Sequence, residues 1–133
     1  MPYPLFAGAH FAMLGKHCEI ELPPPWRAAF RAEGPGLIGP CREEPDAWNL
    51  YRSIDSSAFH RDVGHPWCLL ELSARGTFRL TRELRRREHR PGTRLLFIGQ
   101  GMWVQLWVAS AFFARIKTGG PDAEAAILER LSL

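Results

Sequence analysis

Two stretches of this chain have the same apolar pattern at a constant separation. When Leu14–Arg27 is aligned on Leu72–Arg85 without gaps, apolar positions fall on apolar positions, and Ile20 falls on Phe78. A unit of fewer than about 60 residues buries a small fraction of its surface and is only marginally stable alone. The pattern therefore predicts two related units that fold together around one shared core.

The same correspondence continues downstream, where Trp48–Tyr51 falls on Val104–Trp107 at a slightly shorter separation. We predict a first repeat at residues 1–60, a second repeat at 61–118 and a C-terminal helical tail at 119–133. Each repeat is expected to be a ββαββ unit, and a pseudo-twofold axis is expected to relate the two. The predicted fold class is therefore α+β.

The second repeat has the clearer pattern of local elements. A strand is predicted from Leu69, then a tight turn at 74–76, a second strand, a short Arg-rich helix and a turn at Pro91–Gly92. A strand pair then turns at Gly99–Gly101, and glycine suits such turns because it adopts positive φ without a steric penalty. The last strand alternates with a period of two, which predicts two faces: Val104, Leu106 and Val108 on one, Trp103, Gln105 and Trp107 on the other.

The first repeat is predicted to contain four strands and one short helix, and further helices are predicted elsewhere. Proline cannot donate to a strand ladder and suits a first helical turn, so the run at 23–25 separates the second strand from the helix. The predicted strands are His10–Leu14, Ile20–Leu22, Leu37–Cys41 and Ala47–Tyr51, and the helix is Trp26–Ala32. The linker at 52–64 is predicted to hold part of a helix with Asp55 or Ser56 as its N-terminal cap, and helices are also predicted at Val108–Lys117 and after Asp122.

Composition narrows the class of protein. Apolar residues make up 46% of the chain, which is ordinary for a globular protein. No apolar run approaches the roughly 20 residues of a membrane helix, and Met1–Gly15 has neither a charged n-region nor a long apolar region. We expect a cytoplasmic protein without a signal peptide or a membrane partner. Three widely spaced cysteines predict no disulfide framework and no zinc site.

Charge is distributed unevenly along the chain. Residues 1–67 have a net charge of −2, residues 68–118 a net charge of +7, and residues 119–133 a net charge of −2. A basic block inside a folded unit favours an anionic partner. A solvated Arg-rich helix face explains the same charge equally well, so charge alone leaves both interpretations open.

DNA binding needs several cations that reach phosphates together, because each neutralised phosphate releases condensed counterions. Arg75 and Arg79 are predicted on a two-stranded ribbon, which the major groove of DNA admits. Arg82, Arg86 and Arg90 are predicted on one face of the Arg-rich helix. These arginines are the candidate DNA-binding residues of the second repeat.

These residues resemble the MraZ family of bacterial regulators, which belongs to the swapped-hairpin AbrB-like class. In that family each half has a strand, a turn of the form Asp-x-x-Gly-Arg, an apolar strand, a proline and a helix that ends in Leu-Arg. The second copy is similar to residues 72–80 followed by Glu83–Arg85, and then to Ile98–Gly101 and Gln105–Trp107. The first copy is similar to residues 14–23 followed by Trp26 and Arg27.

The resemblance implies a swapped-hairpin β-barrel and a transcriptional regulator that binds double-stranded promoter DNA. It also implies self-association into a homo-oligomer, which is ring-shaped in the family, and a location on the nucleoid. The family offers its hairpins to DNA as basic elements. Here the first turn has Lys16 and His17, and the second turn has Arg75, with Arg79 in the strand that follows.

The paired Asp and Arg of the family are replaced in both turns. Gly15 and Glu19 stand at those positions in the first copy, and Ser73 and Thr77 stand there in the second. The alternative function is therefore a protein-interaction module that retains the scaffold without binding DNA. Trp67 and Trp103 are the aromatic side chains predicted to serve such a module.

An enzymatic role is not predicted, because the motifs of nucleophilic, metal and nucleotide sites are missing. The five histidines form no His-x-x-Glu-His pattern, and the cysteines form no Cys-x-x-Cys pattern. His60 and His65 with Asp62 could hold a metal, but linker histidines are far more often solvated. Gly99–Gly101 lacks the third glycine of a nucleotide-binding loop. We expect no cofactor, no metal and no small-molecule substrate.

Overall fold

The computed structural model describes residues 6–32, 34–85 and 89–116. Within these ranges the chain has eight strands and three α-helices, so the predicted α+β class is confirmed. The strands are β1 Ala9–Met13, β2 Glu19–Glu21, β3 Gly36–Pro40, β4 Ala47–Tyr51, β5 Cys68–Leu70, β6 Thr77–Arg79, β7 Arg94–Gly99 and β8 Val104–Val108. The helices are α1 Pro24–Arg31, α2 Ser56–Asp62 and α3 Ala109–Ile116, and a 3-10 turn at Ser53–Asp55 precedes α2.

Six of the strands form one antiparallel sheet in the order β1-β7-β8-β4-β3-β5. Its central pair is β4 and β8, in which Asn49 lies opposite Gln105. Strands β1 and β5 are the two edges. Each edge strand therefore pairs with a strand that is distant in sequence, β1 with β7 and β5 with β3.

The remaining two strands, β2 and β6, pair with each other as a separate antiparallel ribbon. Ile20 lies opposite Phe78 at its centre, and both side chains are buried. These are the two residues that the alignment of the repeats superposes. Glu19 precedes Ile20 in the chain and Arg79 follows Phe78, so both lie on the outer face of the ribbon, where they are opposite each other.

The main core lies between the inner face of the large sheet and the layer formed by the ribbon and α1. The period-two alternation of β8 is confirmed, because Val104 and Leu106 enter this core whereas Trp107 packs in a second cluster with α3. The largest members of the main core include Phe6, Trp26, Trp48, Phe78 and Phe97. Burial of apolar side chains at about 25 cal/mol per Å² makes this layer the main stabilising contact of the fold.

Helix α1 follows from its sequence. Pro24 and Pro25 occupy its first positions, where a missing N–H costs nothing. Trp26 and Phe30 are buried at i and i+4, with Ala29 packed beside them, as the predicted apolar stripe required. The predicted helices that begin at Ser56 and after Val108 are confirmed as α2 and α3.

The outer face of the sheet is covered at both ends by helices. At one end α2 covers a cluster that contains Leu37, Tyr51 and Phe59, with Trp103 packed against it. At the other end α3 contributes Ala109 to the cluster around Trp107. Asn49 and Gln105 lie between the two clusters.

Two predicted helices need comment. The predicted Arg-rich helix is wrong at residues 81–85, where the chain forms a hydrogen-bonded turn instead. The helix predicted after Asp122 lies outside the described residues. Among the described helices, none combines the length and the apolar character needed to cross a membrane.

Candidate nucleic-acid interface

The first bend, Gly15–Cys18, precedes β2 and exposes a cation. The Gly15 N–H donates to the Glu19 carbonyl at 2.9 Å, and the Cys18 N–H donates to the Gly15 carbonyl at 2.9 Å. Cys18 has a φ of 61°, which is unusual for a residue with a side chain. Lys16 and His17 form the tip of the bend and are exposed.

The second bend, Ser73–Gly76, precedes β6 and has the same two backbone hydrogen bonds as the first bend. The Ser73 N–H donates to the Thr77 carbonyl at 2.8 Å, and the Gly76 N–H donates to the Ser73 carbonyl at 2.9 Å. Gly76 has a φ of 79° and takes the place of Cys18. Arg75 is exposed at the tip.

The side chains at the first position of the second bend and just after each bend hold the bends closed. In the second bend, the Ser73 hydroxyl lies 2.7 Å from the Thr77 hydroxyl and accepts the Thr77 N–H at 3.1 Å. In the first bend, the Glu19 carboxylate accepts the His17 N–H at 2.8 Å. The two bends are therefore closed by different side chains, a serine–threonine pair in one and a glutamate in the other.

The two bends lie at opposite ends of the β2–β6 ribbon, and each is joined to the strand of the other repeat. The Leu22 N–H donates to the Gly76 carbonyl, and the Leu80 N–H donates to the Cys18 carbonyl, both at 2.9 Å. A cation at one tip is thus fixed relative to a cation at the other tip by the ribbon between them.

The structure adds three arginines to this surface that the sequence analysis did not assign to it. Arg27 of α1 lies against Gly76 and pairs with Glu21 at 2.8 Å, and Arg31 donates to the Ser73 and Ala74 carbonyls of the second bend. At the first bend, Arg85 donates to the Cys18 sulfur at 2.6 Å. Arg27 and Arg85 occupy equivalent positions in the aligned repeats, and this was the one signal that could have found the pair.

The outer face of the ribbon is less basic than its bends. Arg79 is exposed, but it lies opposite Glu19, and the exposed Glu21 is on the same face. Hydrogen bonds from the backbone N–H groups of Glu19 and His17, with the charges of His17 and Arg79, hold the pKa of the Glu19 carboxyl below its usual value. The negative charge therefore persists at neutral pH, and it offsets the charge of Arg79 between the two bends.

Of Arg82 and Arg86, Arg82 is the predicted helix residue whose position the structure describes. Arg82 is exposed in the turn at 81–85, in which the N–H groups of Leu84 and Arg85 both donate to the Thr81 carbonyl. The Leu84 carbonyl accepts the Trp48 indole N–H at 3.0 Å, which ties this turn to β4. Arg86 lies outside the described residues.

The histidine pair of the linker shows no metal site. In the part of the chain that the structure describes, no three His, Cys, Asp or Glu side chains are grouped as metal ligands. Asp62 instead accepts hydrogen bonds from Tyr51 at 2.8 Å and from Arg61 at 3.1 Å. His60 packs edge-on against Trp67, so this region is an aromatic surface with one carboxylate.

The Asp62 carboxylate gives a pH-dependent contribution to stability. The hydrogen bond from Arg61, followed by that from Tyr51, lowers the pKa of Asp62 in the folded chain. Because the pKa is lower in the folded chain, the ionised carboxylate stabilises the fold at pH values above about 3.9, the pKa of an unfolded aspartate. This stabilisation is lost as the pH falls through the pKa of Asp62 in the folded chain. We expect Asp62→Asn to be destabilised relative to wild type at pH 7, with the difference shrinking below about pH 4.

Urea unfolding at several pH values measures this difference. Glu43→Gln is the matched control, because Glu43 is an exposed carboxylate in the loop before β4 and should show no such dependence. If the stability difference between wild type and Asp62→Asn stayed the same from pH 7 to below about pH 4, the ionised Asp62 carboxylate would not be its source.

Neither the protein-family models nor the sequences of curated proteins contain a match to this chain.

Proposed function

We propose that this chain is a DNA-binding transcriptional regulator of the MraZ type, which binds double-stranded promoter DNA as a homo-oligomer. The observation that carries the proposal is the pair of matched bends at the two ends of the β2–β6 ribbon, each with an exposed cation at its tip. Lys16 and His17 would meet phosphates from one bend, and Arg75 from the other. Arg79 and Arg82 would add charge beside them.

The strand pairing supports the proposed pair of repeats. The first strand of the predicted first repeat pairs with the third strand of the predicted second repeat, β1 with β7. The third strand of the first repeat correspondingly pairs with the first strand of the second, as β3 does with β5. The second strands, β2 and β6, pair with each other, and so do the fourth strands, β4 and β8. Every one of these pairings is unchanged when the two repeats are exchanged.

Two cross-strand pairs support the same proposal. Residues that correspond by sequence lie opposite each other twice: Ile20 faces Phe78 in the ribbon, and Asn49 faces Gln105 in the sheet. A pseudo-twofold axis between the two predicted repeats would place such pairs opposite each other. It also accounts for the matching hydrogen bonds of the bends.

The edge strands support self-association. Phe11 and Met13 are 46% and 63% exposed on β1, and Leu69 is 54% exposed on β5. Unpaired strand edges with apolar side chains are templates for pairing with another chain. Pairing of the β1 edge of one copy with the β5 edge of the next would be head-to-tail, and such contacts close into rings when the rotation permits.

A salt titration of DNA binding tests the proposal. We expect the affinity for a duplex from the region upstream of its own gene to fall steeply with salt, because phosphate contacts release counterions. Lys16→Gln and Arg75→Gln should each weaken binding and reduce the slope of log K against log salt by about one per contact. Fluorescence anisotropy of the labelled duplex measures both quantities.

Arg61→Gln is the matched control for these variants, because Arg61 is an exposed cation on α2, which covers the outer face of the sheet. It should leave the slope unchanged. Folded protein that binds no duplex at low salt would reject the proposal and favour the alternative, an interaction module on the same scaffold. Light scattering on the same samples would then report whether the chain still self-associates.

A further inference from the structure

The second bend is held from outside by helix α1, which is distant from it in sequence. Arg31, in the last turn of α1, donates to the Ser73 carbonyl at 2.5 Å and to the Ala74 carbonyl at 3.2 Å. The guanidinium of Arg27, one helical turn earlier, fills the space beside Gly76, where a Cβ atom would lie 2.2 Å from the Arg27 Nε atom. Arg27 and Arg31 together form what we term the α1 clamp.

The α1 clamp is anchored in the core of the protein. Trp26 and Phe30, on the same helix, are each 3% exposed, so α1 cannot shift without disturbing close-packed side chains. Arg27 is fixed as well, because its Nε atom donates to the Leu22 carbonyl at 2.8 Å and its guanidinium pairs with Glu21 at 2.8 Å. The second bend therefore rests on a surface whose position is set by the packed core.

Hydrogen bonds connect the α1 clamp to the backbone of Arg75 at the tip. The Ser73 carbonyl, which accepts from Arg31, also accepts the Gly76 N–H at 2.9 Å. The Ser73 hydroxyl accepts the Arg75 N–H at 3.2 Å. A change at Arg31 therefore reaches the tip through a single residue, Ser73.

The first bend is held by a different arginine. Arg85 donates to the Cys18 sulfur at 2.6 Å, and Cys18 takes the place that Gly76 has in the second bend. Arg85 comes from the turn at 81–85 and not from α1. Release of the second bend is therefore expected to leave the first bend unchanged, so the first bend is an internal reference.

We propose that Arg31 is a positioning residue, which holds the second bend in the free protein so that Arg75 is already oriented towards a phosphate. This inference rests on the proposed function. A bend that is fixed in advance binds more tightly, because less conformational entropy is lost when the complex forms. Arg31 uses its guanidinium on two backbone carbonyls, so it acts through the bend and not on the DNA.

Backbone order parameters from NMR relaxation test the proposal on the intact, DNA-free chain. In wild type we expect the amides of Arg75 and Gly76 to have rigid values of about 0.85. In Arg31→Met we expect values below about 0.6, because methionine has no donor for the two carbonyls. Arg61→Met is the matched control, because Arg61 is an exposed arginine on α2, and it should leave both bends rigid.

DNA binding separates positioning from direct contact. Arg31→Met should weaken binding of the duplex by about five- to tenfold at fixed salt, because the bend must then be ordered on binding. It should leave the slope of log K against log salt unchanged, since no phosphate contact is lost. Arg31→Lys keeps a charged donor, so it should restore the order parameters and most of the affinity. Thermal unfolding checks that both variants are folded.

Three results would be decisive. Order parameters that Arg31→Met leaves unchanged overturn the positioning role, whether or not the protein binds DNA. A slope reduced by about one, with both bends still rigid, assigns Arg31 to a phosphate and also overturns it. If folded wild type binds no duplex at low salt, the proposed function fails, whereas the order parameters still decide whether Arg31 holds the bend.

Discussion

Replacement of Phe78 by alanine is expected to lower the free energy of unfolding by about 3–5 kcal/mol. Phe78 is 3% exposed and lies opposite Ile20 at the centre of the β2–β6 ribbon. Its ring also lies 6.4 Å from that of Phe97, so it joins the ribbon to the large sheet. Truncation removes buried apolar area and leaves a cavity that neighbouring strands cannot fill without moving.

Urea unfolding measures the loss, and Phe11→Ala is the matched control. The same atoms are removed at Phe11, but that ring is 46% exposed on the edge strand β1, so a clearly smaller loss is expected. The double variant with Ile20→Ala should deviate from additivity by about 0.5–3 kcal/mol, because the two side chains are in one cluster. Equal losses at Phe78 and Phe11 would show that the ribbon is not packed on the core.

Gly99→Ala is expected to cost about 2–4 kcal/mol, although the added group is a single methyl. A Cβ atom at Gly99 would lie 2.5 Å from the carbonyl carbon of Phe6 and 2.6 Å from the nitrogen of Ala7. These are backbone atoms, held by two hydrogen bonds between Phe6 and Gly101. Relief of the collision must move Phe6, which is fully buried against Trp26 and Phe30, and overpacking of this kind costs about 1–3 kcal/mol or more.

Gly64→Ala is the control for this substitution. The nearest atoms to a Cβ at Gly64 are 3.9 Å away, which is ordinary contact, and its φ is not in the left-handed region. Its effect should be small or slightly stabilising, since alanine restricts the unfolded chain. Thermal unfolding of the two variants side by side makes the comparison, and equal melting temperatures would contradict the close approach at Gly99.

Strands, helices and turns were predictable where the residues of one short segment, by their periodicity or their turn chemistry, favour a single local structure. The strand Ala47–Tyr51 and the helix after the proline run follow from periodicity and from the chemistry of proline. The two bends follow from the alignment of the repeats, and glycine at position 76 has the positive φ expected of it. At the strand pair of 94–108, however, it is Gly101 that has a positive φ, whereas Gly99 is required by the approach of Phe6.

The candidate site was predictable only in part. The exposed tips of the bends, with Lys16 and Arg75, could be read from the sequence. The arginines that cover those bends could not, because Arg31 and Ser73 are 42 residues apart and meet only through packing. The hydrogen bond from Trp48 to the Leu84 carbonyl, 36 residues away, could not be read from the sequence for the same reason.

The sequence by itself determined which faces of the strands and helices are apolar and where the two bends are. Tertiary structure alone decided which strands pair, and it placed Asn49 opposite Gln105 at the centre of the sheet. The physical reason is that side-chain alternation and turn chemistry act over a few residues. Strand partners are chosen instead by burial and hydrogen bonding between segments far apart, and those energies appear only when the chain is assembled.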